Sequence, residues 1–240
     1  MSARAISRKS GRGVRSEAAA PRSRALRAID HAAATRRATC EDEIRRLVEA
    51  GFRAVRESGN LEPRVADIVR LAGLSNQAFY KHFPSKEDLL LAMLENGTFQ
   101  LCSYVGHRME LADTPAERVK AGLEAVLEQA LRPSAAEATR PFALSRARLA
   151  ERFPQEVFDS EARLAALFET ALRDCQIRPR DRKGDSKAAR EVATQARLLH
   201  DLAMGWVERR LGEPAPPKRA DARRLVDFAL RGLGLTGESE

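Results

Sequence analysis

The sequence predicts an all-α protein, and three observations carry that expectation. Apolar residues recur at spacings of three and four rather than two. The periodic segments are rich in Ala, Leu, Arg and Glu, the residues that lose least on entering a helix. Prolines at 115, 133, 154, 179 and from Pro214 to Pro217 then cut the pattern into helix-sized pieces.

Taken in order, Thr39 to Asp42 (TCED) reads as a capping box, after which Ile44, Leu47, Val48, Phe52 and Val55 form one apolar face up to Gly59. Beyond Pro63, Val65, Ile68, Val69 and Ala72 make a two-turn stripe. Gly73 suits the left-handed residue that ends it, Leu74 can plug the turn, and Ser75 can cap a helix starting at Asn76. This is a helix, a tight turn and a helix. Ser85 to Asp88 is a second capping box opening a helix at Lys86. Further helices are expected over about 97–111, 115–131, 135–152, 154–176, 187–211 and 220–233.

The short segment 76–83 holds three of the twelve aromatic side chains, Phe79, Tyr80 and Phe83. Phe79 and Phe83 are four apart and share a face that can pack on Val65, Ile68 and Ala72. Asn76, Gln77, Tyr80 and Lys81 point the other way. A helix too short to stand alone, anchored from beneath and carrying polar tips, suits the DNA major groove. The amides of Asn76 and Gln77 can pair bidentately with adenine, while Tyr80, Lys81 and His82 can reach phosphates. Lys86 sits where the helix dipole disfavours a cation, a choice that a phosphate docked at that helix start would explain.

Charge points the same way. Residues 1–40 carry a formal charge of +8, equal to that of the whole chain. Such a basic arm, expected to be disordered, looks for an anionic partner, nucleic acid first and an anionic membrane second. No apolar stretch follows Arg4 to Arg15 as a secretory signal would need, and the longest apolar run, Leu89 to Leu94, is far too short to span a bilayer. Three separate cysteines without a CxxC pair fit reduced thiols in a cytoplasm. The four histidines share no metal spacing, and no nucleophile elbow, phosphate loop or HExxH occurs. GLGLTG at 232–237 satisfies G-x-G-x-x-G literally, but no strand precedes it. Neither catalysis nor a cofactor is expected.

The run VADIVRLAGLSNQAFYKHFPSKEDLLLAML resembles the DNA-binding domain of the TetR family of bacterial transcriptional repressors, in Ile-x-x-x-Ala-Gly-x-Ser and in Phe-Tyr-x-His-Phe-x-x-Lys-x-x-Leu. The resemblance covers roughly 41–95 and implies a three-helix helix-turn-helix domain. It places Ser75, Asn76, Gln77, Tyr80, Lys81 and His82 at DNA and Lys86 on a phosphate. Arg64 stands where the family usually has a capping Thr or Ser; it cannot cap, though it can reach phosphate. The remainder, 96–240, is then a helical effector-binding and dimerisation domain, with ERFPQEVF and LVDFALRGLG as looser likenesses. The resemblance implies a ligand-responsive homodimer, paired through helices 187–211 and 220–233, that leaves a palindromic operator when a small molecule binds. The alternative is a ligand-binding or protein-interaction module whose helix-turn-helix no longer binds DNA. Large or soft side chains on separate helices, Met109, Phe142, Phe168, Leu172, Cys175 and Trp206, are the candidates for the effector pocket.

Overall fold

The structure is a computed structural model and describes residues 23–176 and 186–235. Its helices are α1 (Arg24–Ser58), α2 (Val65–Ala72), α3 (Asn76–His82), α4 (Lys86–Glu110), α5 (Pro115–Leu131), α6 (Pro133–Leu144), α7 (Arg146–Arg152), α8 (Pro154–Gln176), α9 (Ser186–Gly212) and α10 (Arg219–Gly232). No strand occurs among the described residues, and none of their helices is long and apolar enough to cross a membrane. The chain divides after Asp42 into two compact units.

Helices α5, α8, α9 and α10 fall within a residue of their expected bounds, whereas three others depart from expectation. The first helix begins at Arg24, capped by Ser23, whose Oγ accepts from the Leu26 N–H at 3.3 Å. Thr39 therefore does not cap a helix; its hydroxyl donates back to the Thr35 carbonyl at 3.1 Å, a bond made inside helices. The Ala- and Arg-rich stretch up to Cys40 has the propensity to be helical, so the expected disorder of the arm does not hold there. Residues 1–22 of that arm lie outside the described residues.

The helix starting at Lys86 runs unbroken to Glu110 through the expected domain boundary at 95/96. Conversely the stretch 135–152 is two helices, parted at Ser145 (φ −106°, ψ 8°) shortly after Pro141, which cannot donate to the ladder inside α6.

Two apolar cores result. The first gathers Leu47, Val55, Ile68, Phe79, Leu89 and Met93 from α1 to α4, joined by Leu149 of α7 and Val157 of α8. A Cβ on Gly51 would lie 2.6 Å from Met93 Sδ, so glycine sets how closely α1 and α4 approach. The second is built on α5, whose Val119, Leu123, Val126 and Leu127 are enclosed by α4, α8, α9 and α10.

In that second core Met109 Sδ and Phe168 Cε1 would each be 2.9 Å from a Cβ on Gly122. Gly122→Ala is expected to overpack the site and cost about 1–3 kcal/mol, read as a lower denaturant midpoint at unchanged slope. An unchanged midpoint would show that both neighbours can step aside freely.

Candidate nucleic-acid interface

The turn between α2 and α3 is built as its residues dictate. Gly73 is left-handed (φ 63°, ψ 37°), and the Leu74 N–H donates to the Val69 carbonyl at 3.0 Å, closing the α2 end. Ser75 then caps α3, its Oγ accepting from the Ala78 N–H at 3.1 Å. Beneath α3, Phe79 is fully buried, with Phe83 6.0 Å away in tilted contact and the Tyr80 ring edge-on at 5.2 Å. Asn76, Gln77, Tyr80 and Lys81 are all exposed, within one and a half turns of each other. The two amides supply paired donor and acceptor atoms, and Tyr80 and Lys81 supply donors for phosphate.

His82 differs from expectation. Its side chain is only 3% exposed, and Nε2 lies 2.6 Å from Glu43 Oε2, an oxygen that also takes Lys81 Nζ at 2.9 Å. His82 is therefore a strut holding α3 to α1, not a side chain reaching out to phosphate. Those hydrogen bonds, that of His82 first, hold the Glu43 carboxyl below its usual range. A lowered carboxylate pKa makes this clamp complete at neutral pH and lost only as pH falls through that lowered value.

Arg46 is the other residue that sequence reasoning missed. Its guanidinium donates from Nη2 to the Ala72 carbonyl (2.5 Å) and the Gly73 carbonyl (3.1 Å), covering acceptors left open at the end of α2. Both Glu43 and Arg46 act across more than twenty residues, and no local pattern marks them.

Arg64 occupies the position before α2 and makes no side-chain cap. Lys86 opens α4 behind a complete capping box in which Ser85 and Asp88 exchange hydrogen bonds. Beside it, Glu62 is held below its usual range chiefly by a hydrogen bond from Arg148, with Lys86 adding to the effect.

The effector candidates fare unevenly. Met109, Phe168 and Leu172 are close-packed core, because Gly122 lets Met109 and Phe168 fill the space between helices. Cys175 and Trp206 pack against the outside of the same core, Trp206 with the Arg210 guanidinium 5.7 Å from its ring. Of the six, Phe142 lines a cavity. That cavity, of about 480 Å³, lies between α1, α4, α5 and α6, with Phe52, Leu94, Leu101 and Tyr104 in its wall. On α9 and α10 the outward faces carry Leu198 and Phe228, 62% and 65% exposed.

A short polar helix on an aromatic base, set behind a tight turn, is the architecture of a helix-turn-helix domain. Residues 47–93 match the model of the bacterial regulatory proteins of the tetR family. Over 75 residues the chain is 36% identical to the HTH-type transcriptional regulator BetI of Rhizobium meliloti, covering 31% of this chain and 37% of that one. BetI of Brucella canis is 31% identical over 77 residues, 39% of its length. The chain thus aligns with well under half the length of these curated relatives.

Solved structures match further along. A TetR-family transcriptional regulator from Pectobacterium atrosepticum superposes with a TM-score of 0.58 at 19% identity, over 83% of this chain and 94% of that one. AibR, solved in complex with isovaleryl coenzyme A and operator DNA, superposes with a TM-score of 0.54 at 17% identity, over 81% of this chain and 100% of that one. Residues 47–93 thus resemble the tetR-family regulatory proteins, and the chain around them shares the fold of solved TetR-family structures.

Proposed function

We propose that the chain is a cytoplasmic transcriptional repressor that binds a palindromic operator as a homodimer and leaves it when a small molecule enters the helical body. The observation that carries this reading is the Ser75-capped α3, whose four exposed polar side chains stand on a buried phenylalanine. Two such helices, one from each protomer, would read half-sites about one helical turn apart. The exposed Leu198 of α9 and Phe228 of α10 are the large apolar side chains that pairing through those helices would cover. The 480 Å³ cavity has the size of a small-molecule site, and AibR, of the same fold, is solved with both a ligand and operator DNA.

The first test is a mobility shift of the full chain on DNA flanking its own gene. A specific shift is expected; no shift at low salt with correctly folded dimer would leave only a ligand-binding or interaction module. Asn76→Ala and Gln77→Ala should each lose roughly 1–3 kcal/mol and relax preference at one or two base pairs per half-site. Tyr80→Ala should weaken binding to every sequence alike while leaving helicity and dimerisation unchanged. A uniform loss from Asn76→Ala and Gln77→Ala would make them phosphate contacts instead of base readers.

A further inference from the structure

Three cavities of the helical body share walls. The 480 Å³ cavity shares Leu94, Leu101 and Phe142 with a narrow one of about 120 Å³. The narrow one in turn shares Arg146, Glu161, His200 and Glu208 with a third, of about 410 Å³, between α8 and α9. The shared wall is apolar at Leu94, Leu101 and Phe142 and ionic at Arg146, Glu161 and Glu208.

At the ionic end a single guanidinium answers to two carboxylates. Arg146 Nη2 donates to Glu161, and Arg146 Nε lies 3.1 Å from Glu208 Oε1, an atom sealed from solvent that takes no hydrogen bond among the described residues. His200, 3% exposed, contacts Asp201 through Nδ1 at 2.9 Å. On the same wall the Phe158 ring already carries a cation, the Arg197 guanidinium at 5.7 Å from its centroid. Three carboxylates, those of Glu161, Asp201 and Glu208, share this wall with the guanidiniums of Arg146 and Arg197.

We propose that this ionic end binds the ammonium group of an amphipathic organic amine, which takes Glu161 and Glu208 from Arg146 while its apolar body lies along Leu94, Leu101 and Phe142. The proposal rests on the effector-responsive reading above and names the chemical class of the effector. The ammonium donates to both carboxylates and to His200 Nε2, in the tautomer that keeps its proton on Nδ1 facing Asp201. Burial, opposed by Arg146 and reinforced by Glu161, raises the Glu208 carboxyl above its usual range, so the pair gains from a second cation at close quarters. Arg146 can leave cheaply because its side chain is already 43% exposed.

Release of Arg146 has somewhere to go. It is the first residue of α7, and the other two arginines on that seven-residue helix reach the DNA-binding end: Arg148 pairs with Glu62 just ahead of α2, and Arg152 Nη2 lies 3.1 Å from Glu87 in the first turn of α4. Helix α7 is thus a strap pinned to the cavity at one end and to the reading domain along its length. An amine that unpins Arg146 would let the strap shift the start of α4.

The probe is octylammonium chloride, protonated at neutral pH, against sodium octanoate of the same chain length, titrated calorimetrically into the full chain. Octylammonium should bind saturably and octanoate at least about tenfold more weakly, as expected when a charged hydrogen bond is exchanged for a repulsion. The E161Q/E208Q variant should lose about tenfold in octylammonium affinity, and Phe158→Ala, a half-exposed position that does not threaten the core, should lose several-fold. Arg146→Gln should instead bind octylammonium about tenfold more tightly because the competitor is gone; a merely structural Arg146 would give weaker binding. Octanoate binding as well as octylammonium, or Phe158→Ala and E161Q/E208Q binding normally, overturns the proposal. If octylammonium binds with the expected pattern but operator complexes persist in the same samples, the amine site stands and the effector reading falls.

Discussion

Phe79→Ala is expected to melt the reading domain while the larger helical core stays folded. The ring is wholly buried among α1, α2 and α4, and α3 is seven residues long, far too short to hold its shape without that anchor. Deleting a buried phenylalanine costs roughly 3–5 kcal/mol, a large share of what a small cooperative unit has in hand. Its neighbour gives the control: Tyr80 is 56% exposed, so Tyr80→Ala removes a contact surface and leaves the support intact. Hydrogen exchange resolves the two. In Phe79→Ala, protection should collapse over 43–95 and persist in α5, α8 and α9, and DNA binding should disappear. Normal protection across 65–90 would mean that the aromatic underside is not what holds α3.

What the sequence made legible follows the range of the interactions involved. The left-handed Gly73, the Ser75 cap and the Ser85–Asp88 box each involve groups within five residues of one another, so their chemistry is written in nearby letters. The start of α1 shows the limit of that method. Thr39 can accept at a helix start or donate back within one, and only the helical propensity of the fifteen residues from Arg24 to Ala38 decides between them; Ser23, the actual cap, has no acidic residue three positions on to announce it. The pattern points His82 outward with its neighbours, yet Glu43, thirty-nine residues away, draws it in. The structure is hollow elsewhere than these side chains suggest for a related reason. Large, soft side chains such as Met109 and Phe168 suggest a pocket only if nothing fills the space opposite them, and Gly122 lets each fill the other's. The space that does exist needs α4 to be one long helix facing α6, whereas the sequence suggests a helix boundary near residue 96.

Removing residues 2–38 should cut DNA affinity by orders of magnitude at moderate salt while barely changing which operator is preferred. Residues 41–95 sum to −2, so the reading domain alone has no general attraction for a polyanion, whereas residues 1–40 carry +8. Four of those arginines, Arg24, Arg27, Arg36 and Arg37, lie on the exposed first part of α1. A cationic extension ahead of the reading domain can follow the adjacent groove and backbone, as basic arms do in other helix-turn-helix proteins. Each phosphate it neutralises releases counterions and adds about 0.9 to the slope of log affinity against log salt. The deletion should therefore flatten that slope by several units, with the loss shared equally by operator and unrelated DNA, since phosphate contacts carry no sequence information. The truncated chain keeps Thr39 to Asp42, whose Thr-x-x-Asp pattern suits a new N-cap, so α1 can start there without unravelling into the core. Circular dichroism that shows the remaining helices intact separates lost charge from lost fold. A truncated protein that keeps both its salt slope and its affinity would mean that the basic segment never touches DNA, and that the +8 it carries serves some other anionic partner.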